Sequence, residues 1–270
     1  MPGGPEPEYI IARGVLLDAL TALRAHLHAL VIVGAQAVYL RVGEGEVAVA
    51  PYTTDGDLAV EPGRLADGPD VAEAMTSAGF RADPQQPGVW TSSSGVSIDL
   101  MVPEALAGPG RRGADLGPHG RLAARRARGL EAVLVDRSSM PVASLDERDS
   151  RSFDVRVAGP GALLVAKLHK IADRSADDRR RSDKDALDIL RLLRGVTTLA
   201  LAASVRALLA DERSSEVTSE ALEHLTRLFG SAAAEGSQMA VRSAELLENP
   251  AEIAASCTAL AGDLLATLQA

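Results

Sequence analysis

The apolar residues of this chain change their spacing near residue 160, and that change limits the folds open to it. Before Pro160 they mostly gather in short runs or alternate with polar residues, as in Leu30–Val33 and Val96–Val102, with helical spacing only in a few segments. After Pro160 they recur every three or four residues, the spacing of one side of an α-helix. The pattern predicts an α+β fold, with a mixed sheet and flanking helices over residues 1–158 and a helical domain over residues 159–270.

The same spacing predicts the individual elements. Strands are expected at Leu30–Val33, Asp57–Val60, Val89–Thr91, Val96–Val102, Ala132–Val135, Met140–Ala143 and Phe153–Val157. Helices are expected at Ile11–Ala29, Ala35–Arg41, Asp70–Ala78, Pro160–Ala172 and Asp183–Leu193, with three or four more in Thr197–Ala270. Segment 103–128 is rich in Gly, Pro and Arg and is predicted to be a mobile loop or an insertion.

Composition limits the kinds of binding partner and the cellular compartment that we expect for this protein. The net charge of −9 over 270 residues argues against a general polyanion binder. The only cysteine, Cys257, excludes an internal disulfide, and with no signal peptide in view we expect a reducing cytoplasm. The apolar runs are too short to span a bilayer, so no membrane partner is expected.

The residues that carry chemistry begin with Thr53-Thr54-Asp55-Gly56-Asp57. On an extended strand, residues two apart point to the same side, so Asp55 and Asp57 would present two carboxylates together. Carboxylates converging in this way bind hard cations such as Mg²⁺. Gly56 between them would leave the backbone open to a phosphate. The alternative is a turn, which Asp and Gly also favour.

A third acid lies inside a later apolar strand, Val96–Val102. Asp99 is flanked there by Ile98 and Leu100, and a carboxylate in such a setting needs a partner or a metal ion. An exposed strand face with Ser97, Asp99 and Met101 directed outward is the competing interpretation.

Lysine is rare in this chain, with Lys167, Lys170 and Lys184 the only examples beside a large excess of arginine. We expect Lys167 and Lys184 to contact a polyphosphate, because a flexible ammonium suits that task. Lys170 is expected to belong to a solvated helix face. A solvated basic face with a Lys184–Asp188 pair is the alternative for the whole group.

Taken in order, Gly34-Ala35-Gln36 after a strand, Asp55-x-Asp57 and Asp99 resemble the DNA polymerase β-type nucleotidyltransferases. Two later stretches resemble the AbiEii-like branch, the toxins of abortive-infection and toxin–antitoxin systems: Leu163-Leu164-Val165-Ala166-Lys167-Leu168 and Asp183-Lys184-Asp185-Ala186-Leu187-Asp188-Ile189-Leu190. The resemblance covers residues 28 to 194. The chain departs from the family in having Ala35, which lacks a hydroxyl, and in an apparent insertion at residues 43–52.

The resemblance implies a fold, a reaction and a set of roles. The fold would be a polymerase β-type mixed sheet, completed at the nucleotide site by the helical domain. The reaction would be Mg²⁺-dependent transfer of NMP from an NTP to a hydroxyl. Asp55 and Asp57 would bind Mg²⁺, Asp99 would join them and activate the acceptor, and Lys167 would contact the triphosphate. We expect further nucleotide contacts at Gly34, Gln36, Thr54 and Lys184.

The acceptor and other partners are also expectations. Six arginines lie between Arg111 and Arg128, and Arg121, Arg125, Arg126 and Arg128 are expected to hold RNA phosphates. The family resemblance points to a tRNA 3′ end as the acceptor and to a cognate antitoxin protein as a partner. A small-molecule nucleotidyltransferase and a non-catalytic nucleotide-binding module of the same fold are the alternatives.

Overall fold

The computed structural model describes residues 6–43, 53–173, 179–244 and 248–270. The proposed insertion at 43–52 lies outside these residues except for Gly43. The chain is α+β and forms two compact units that alternate along the sequence. The first unit takes in the described residues within Met1–Ala37, Pro51–Ala127 and Arg137–Ala158. The second takes in those within Val38–Ala50, Arg128–Asp136 and Gly159–Ala270.

The first unit is built on a mixed sheet of eight strands. They are β1 (Leu30–Val33), β2 (Asp55–Val60), β3 (Arg81–Ala82), β4 (Val89–Thr91), β5 (Ser97–Pro103), β6 (Arg125–Ala127), β7 (Arg137–Ala143) and β8 (Ser152–Ala158). The order across the sheet is β3-β4-β5-β2-β1-β8-β7, and β6 also pairs with β5. β2 runs antiparallel to β1 and parallel to β5. The four residues of β1 are all buried, which explains their uninterrupted apolar run.

Helices α1 (Pro7–Ala22) and α3 (Val71–Ser77) also belong to this unit, and α2 (Gly34–Val42) follows β1 directly. α1 buries Leu16, Leu17 and Leu20. The predicted helix from Ile11 to Ala29 is in fact two elements, because α1 ends at Ala22 and a 3-10 helix covers Arg24–Ala29. Asp70 caps α3 by accepting a hydrogen bond from the Glu73 amide, as expected for Asp at a helix start.

Segment 103–128, predicted to be a mobile loop or an insertion, packs against the sheet at several points. Trp90 donates its indole N–H to the carbonyl of Ala123 at 2.9 Å, and Leu116 and Ala124 are buried. β4 and β6 pair with the same edge of β5, β4 with its first residues and β6, in parallel, with its last. The strands change over at Gly88, whose φ is +82° and where a Cβ would meet the backbone of β5 and of residues 124–125. Four alanines of this segment are buried: Ala107, Ala114, Ala123 and Ala124.

The second unit contains α4 (Pro160–Ala172), α5 (Arg179–Gly195), α6 (Thr198–Ala210), α7 (Ser215–Phe229), α8 (Glu235–Ala244) and α9 (Pro250–Gln269). Four helices therefore follow α5, with breaks where Ser214, Gly230 and Asn249 predict them. The strand predicted at Ala132–Val135 is wrong, because Leu130–Leu134 is a 3-10 helix. Its residues are buried on all sides, and a short apolar run of this kind does not distinguish strand from helix.

The C-terminal helix α9 is long and apolar enough to cross a membrane by length and composition, with mean hydropathy 1.3. Helices in protein cores meet the same criterion. Ile253, Cys257 and Leu264 of α9 are buried within the second unit. Burial raises the pKa of the Cys257 thiol to about 12, so this cysteine is a packed and protonated side chain.

A buried histidine ties the turn after α1 to the loop before α3. The Nε2 atom of His26 lies 2.8 Å from the carbonyl oxygen of Pro69, and the amide of Ala66 donates to Nδ1 at 3.2 Å. One ring nitrogen therefore donates and the other accepts, which requires the neutral ring. Burial lowers the pKa of His26.

His26 should make the protein sensitive to acid. Because its folded-state pKa lies below the unfolded value of about 6.5, protonation favours the unfolded chain. The stabilising contribution is complete above that pH and is lost as the pH falls below it. We expect the free energy of unfolding, measured by urea titration from pH 7.5 to 5, to fall less steeply in His26→Gln. His28→Gln, an exposed histidine on the same turn, controls for loss of a ring. Equal slopes in His26→Gln and wild type would contradict this account.

Candidate functional site

The three predicted carboxylates lie on adjacent strands of the first unit. In the parallel pairing of β2 with β5, Asp57 is directly opposite Asp99, and Asp55 is opposite Ser97. Residues in register on neighbouring strands share a face of the sheet, and strands lie about 4.8 Å apart. Asp55 is on the same face as Asp57, two residues earlier. The register thus gathers Asp55, Asp57 and Asp99 on one side of the sheet.

Gly56 serves the opposite face. A Cβ at Gly56 would point into the buried core, 2.8 Å from Cδ1 of Ile98 and in van der Waals contact with Leu16. The expectation that Gly56 opens the backbone to a phosphate is therefore wrong. Its small size lets α1 and β5 pack closely beneath the acidic face.

Gly34 lies beside the acidic face. It follows Val33, the register partner of Asp57 in β1, and its φ is +68°. A Cβ at this position would collide with the carboxylate of Asp57. Glycine is therefore required here both for its backbone conformation and for the close approach of an acidic side chain.

Gln36 was expected to contact phosphate, but its side chain is directed into the protein. It is 1% exposed, and its amide nitrogen donates to the carbonyl oxygens of Ala12 and Asp55 at 3.2 and 3.0 Å. Its amide oxygen accepts from Nε of the buried Arg13 at 2.8 Å. Arg13 also donates to the hydroxyl of Tyr9 and the carbonyl of Ala143. Gln36 therefore positions the backbone of Asp55, and no sequence motif marks Arg13 as its partner.

The start of β2 is held by a threonine. The hydroxyl of Thr53 donates to Oδ1 of Asp55 at 2.5 Å, and Thr53 is itself buried. Thr54, the predicted nucleotide contact, is exposed on the bend just before β2, and Asp55, the first residue of β2, is also exposed. The buried hydroxyl of Thr53 thus orients an exposed carboxylate, and Thr53 is a site residue that sequence reasoning missed.

Asp99 is bound by an arginine from β6. Nε of Arg125 lies 2.9 Å from both carboxylate oxygens, and Nη2 lies 2.5 Å from Oδ2. Burial would lower the pKa of Arg125, but the charges of Asp99 and Asp57 raise it above its usual value. Arg125 was expected to contact RNA, whereas in the structure its guanidinium neutralises the acidic face.

The fit of this face to a divalent cation is mixed. Carboxylate oxygens on one face of the sheet are the ligand type that Mg²⁺ prefers. Within the ranges that the structure describes, however, no three His, Cys, Asp or Glu side chains are grouped closely enough to hold a metal ion. Both oxygens of Asp99 accept hydrogen bonds from Arg125. The carboxylates of this face that could hold a cation are therefore Asp55 and Asp57.

The other three arginines expected to bind RNA also have partners inside the protein. Arg121 pairs with Asp115 at 3.5 Å, and Arg126 donates to the carbonyls of Gly108 and Gly110. Arg128, in the second unit, pairs with Glu216 and Glu220 of α7. RNA phosphates would have to compete with these partners, and RNA binding by this segment stays a prediction.

In the second unit, Lys167 is buried between two carboxylates. Its ammonium lies 2.6 Å from Asp185 and 2.7 Å from Asp188, and the residue is 4% exposed. Burial alone would lower the pKa of Lys167, but the two acids outweigh it and raise the pKa. A triphosphate would have to displace both acids to reach this ammonium. Lys184, one residue before Asp185, is exposed.

Lys167 should therefore contribute strongly to stability. Removing one partner of a buried ion pair costs about 3–5 kcal/mol, so we expect Lys167→Ala to lower the free energy of unfolding by that amount. Lys170→Ala is the matched control, since Lys170 contacts the same Asp185 at 3.3 Å from a side chain 41% exposed. We expect it to cost less than about 1 kcal/mol. Similar urea midpoints for the two variants would contradict the structural role.

Comparison with known proteins adds no family to this description. No protein-family model matches the chain, and neither a curated protein nor a solved structure matches it significantly. The resemblance to nucleotidyltransferases rests on the residues quoted for it and stays a prediction.

Proposed function

We propose that the chain is a Mg²⁺-dependent nucleotidyltransferase that transfers NMP from an NTP to a hydroxyl group and releases pyrophosphate. The observation that carries the proposal is the register of β2 and β5, which sets Asp57 opposite Asp99 with Asp55 on the same face. The antiparallel β1–β2 pair joined through α2, with Gly34 against Asp57, supports the polymerase β-type fold as part of the same proposal.

Each residue of the face has a task in this reaction. Asp55 and Asp57 would hold the cation, with Thr53 and Gln36 fixing the position of Asp55. Asp99 would orient the acceptor hydroxyl and accept its proton as the hydroxyl oxygen bonds to the α-phosphorus and the bond to pyrophosphate breaks. Gly34 lets the Asp57 carboxylate approach the backbone at the end of β1. When bound, Mg²⁺ would neutralise charge on the phosphates and lower the pKa of the acceptor hydroxyl.

The acceptor is a separate part of the proposal. An RNA 3′ end, with tRNA the leading choice, and a toxin role with a cognate antitoxin follow from the resemblance. A small-molecule acceptor is favoured by a specific observation: Arg121, Arg126 and Arg128 already have protein partners. Incubation with each labelled NTP plus total RNA separates the two, because only an RNA acceptor carries label into the high-molecular-weight fraction.

A non-catalytic module is the second candidate function. The Arg125–Asp99 ion pair favours it, because an arginine can permanently replace a metal as the counter-charge of an acidic face. Such a module would bind nucleotide without releasing pyrophosphate. Pyrophosphate release in the presence of Mg²⁺ and an NTP therefore decides between the two functions.

Loss of Asp57 should abolish transfer. Asp57→Asn keeps the shape of the side chain but removes a charged ligand, and we expect pyrophosphate release to fall by about a hundredfold or more. Asp67→Asn, an exposed acid of the same unit outside the sheet, should retain wild-type activity. Thermal melting without metal should be close to wild type for both variants. Wild-type pyrophosphate release by Asp57→Asn would contradict the proposed function.

A further inference from the structure

We propose that Arg125 is a resident counter-cation of the acidic face, and that a divalent metal ion binds there only by displacing its guanidinium from Asp99. Arg125 thereby sets the metal-ion concentration at which the site is half occupied. This inference rests on the proposed function, since it concerns the same carboxylates.

The placement of Arg125 follows from strand register. β6 runs parallel to β5, and Arg125 is the register partner of Met101. Met101 is two residues after Asp99, so both side chains and that of Arg125 share one face of the sheet. The guanidinium contacts Sδ of Met101 at 2.9 Å as it extends back to Asp99. The side chain is thus held along the strand and directed at the acidic face.

The contact blocks Asp99 as a metal ligand. Both of its oxygens accept hydrogen bonds from the guanidinium, so a cation approaching Asp99 meets a positive charge at hydrogen-bond distance. A cation bound by Asp55 and Asp57 alone would also lie near that charge, because Asp57 is the register partner of Asp99. Metal and arginine therefore compete for the same negative charge.

The Arg125–Asp99 ion pair already meets solvent. The side chain of Arg125 is 35% exposed and that of Asp99 is 20% exposed. The backbone pairing of Arg125 with β5 does not depend on where the side chain points. A purely structural role, in which Arg125 only ties β6 to β5, is the competing explanation.

The neighbouring Arg126 provides a matched control. It lies on the same short strand but alternates to the other face, where it donates to the carbonyls of Gly108 and Gly110. Arg126→Gln and Arg125→Gln each change the net charge by the same amount, one residue apart. Only Arg125→Gln removes the competitor from the acidic face.

The experiment is titration of the full chain with Mn²⁺ alone, followed by electron paramagnetic resonance of the free ion and by calorimetry. We expect Arg125→Gln to tighten the Mn²⁺ Kd by about tenfold to a hundredfold, the scale of a charge-assisted hydrogen bond. Arg126→Gln should bind as wild type does. Arg125→Lys, which keeps the charge but not the two-pronged geometry, should be intermediate.

The outcomes separate this inference from the proposed function. Equal Mn²⁺ affinities in wild type and Arg125→Gln, with binding lost in Asp57→Asn, would overturn the inference and leave the proposed function in place. Absence of binding in every variant would overturn both. If thermal melting shows that Arg125→Gln is unfolded, Arg125→Lys decides, and a wild-type affinity in that variant overturns the inference.

Discussion

Mutual repulsion of two acids in register on neighbouring strands is the constraint around which the first unit is arranged. Asp57 and Asp99 face each other across a parallel strand pair, and like charges directly opposite destabilise a sheet. Arg125 offsets the repulsion from β6, and Gly34 removes the side chain that would crowd Asp57. A sheet serving only as a scaffold would gain stability by replacing one of these acids. The presence of both acids, together with Arg125 and Gly34 that accommodate them, supports a functional site on this face of the sheet.

Much of this arrangement could be predicted from the sequence, but its partners could not. Alternation and apolar runs locate most strands and the side on which Asp55 and Asp57 lie. They do not show that β2 and β5 are parallel neighbours, because pairing is decided by tertiary packing. Nor do they show that Arg125 reaches Asp99, a contact across 26 residues of chain. Gly56 was misjudged for a related reason: the residue between two site residues belongs to the core face of the strand.

The second unit meets a similar electrostatic problem with a different result. Lysine is scarce in the sequence, and that scarcity led to the prediction that Lys167 contacts a polyphosphate. The requirement visible in the structure is internal, because the ammonium sits between Asp185 and Asp188 in a buried setting. Arg191, also buried, pairs with Asp188 at 3.0 Å and extends the network along α5. The scarcity of lysine indicates that a lysine position is constrained, but it does not show whether the side chain contacts a ligand or pairs inside the protein.

The interleaving of the two units has a consequence for how the protein is made and handled. Segment 128–136 belongs to the helical unit although it is followed by β7 and β8 of the sheet unit. Its last residue, Asp136, accepts hydrogen bonds from the Ala162 amide and the Ser204 hydroxyl. During synthesis, the whole sheet unit is therefore complete while the helices that segment 128–136 packs against have not yet been made. Truncation after Ala158 would expose to water residues that are buried in the full chain, such as Leu130 and Val133. The two units should therefore be studied in one uninterrupted polypeptide.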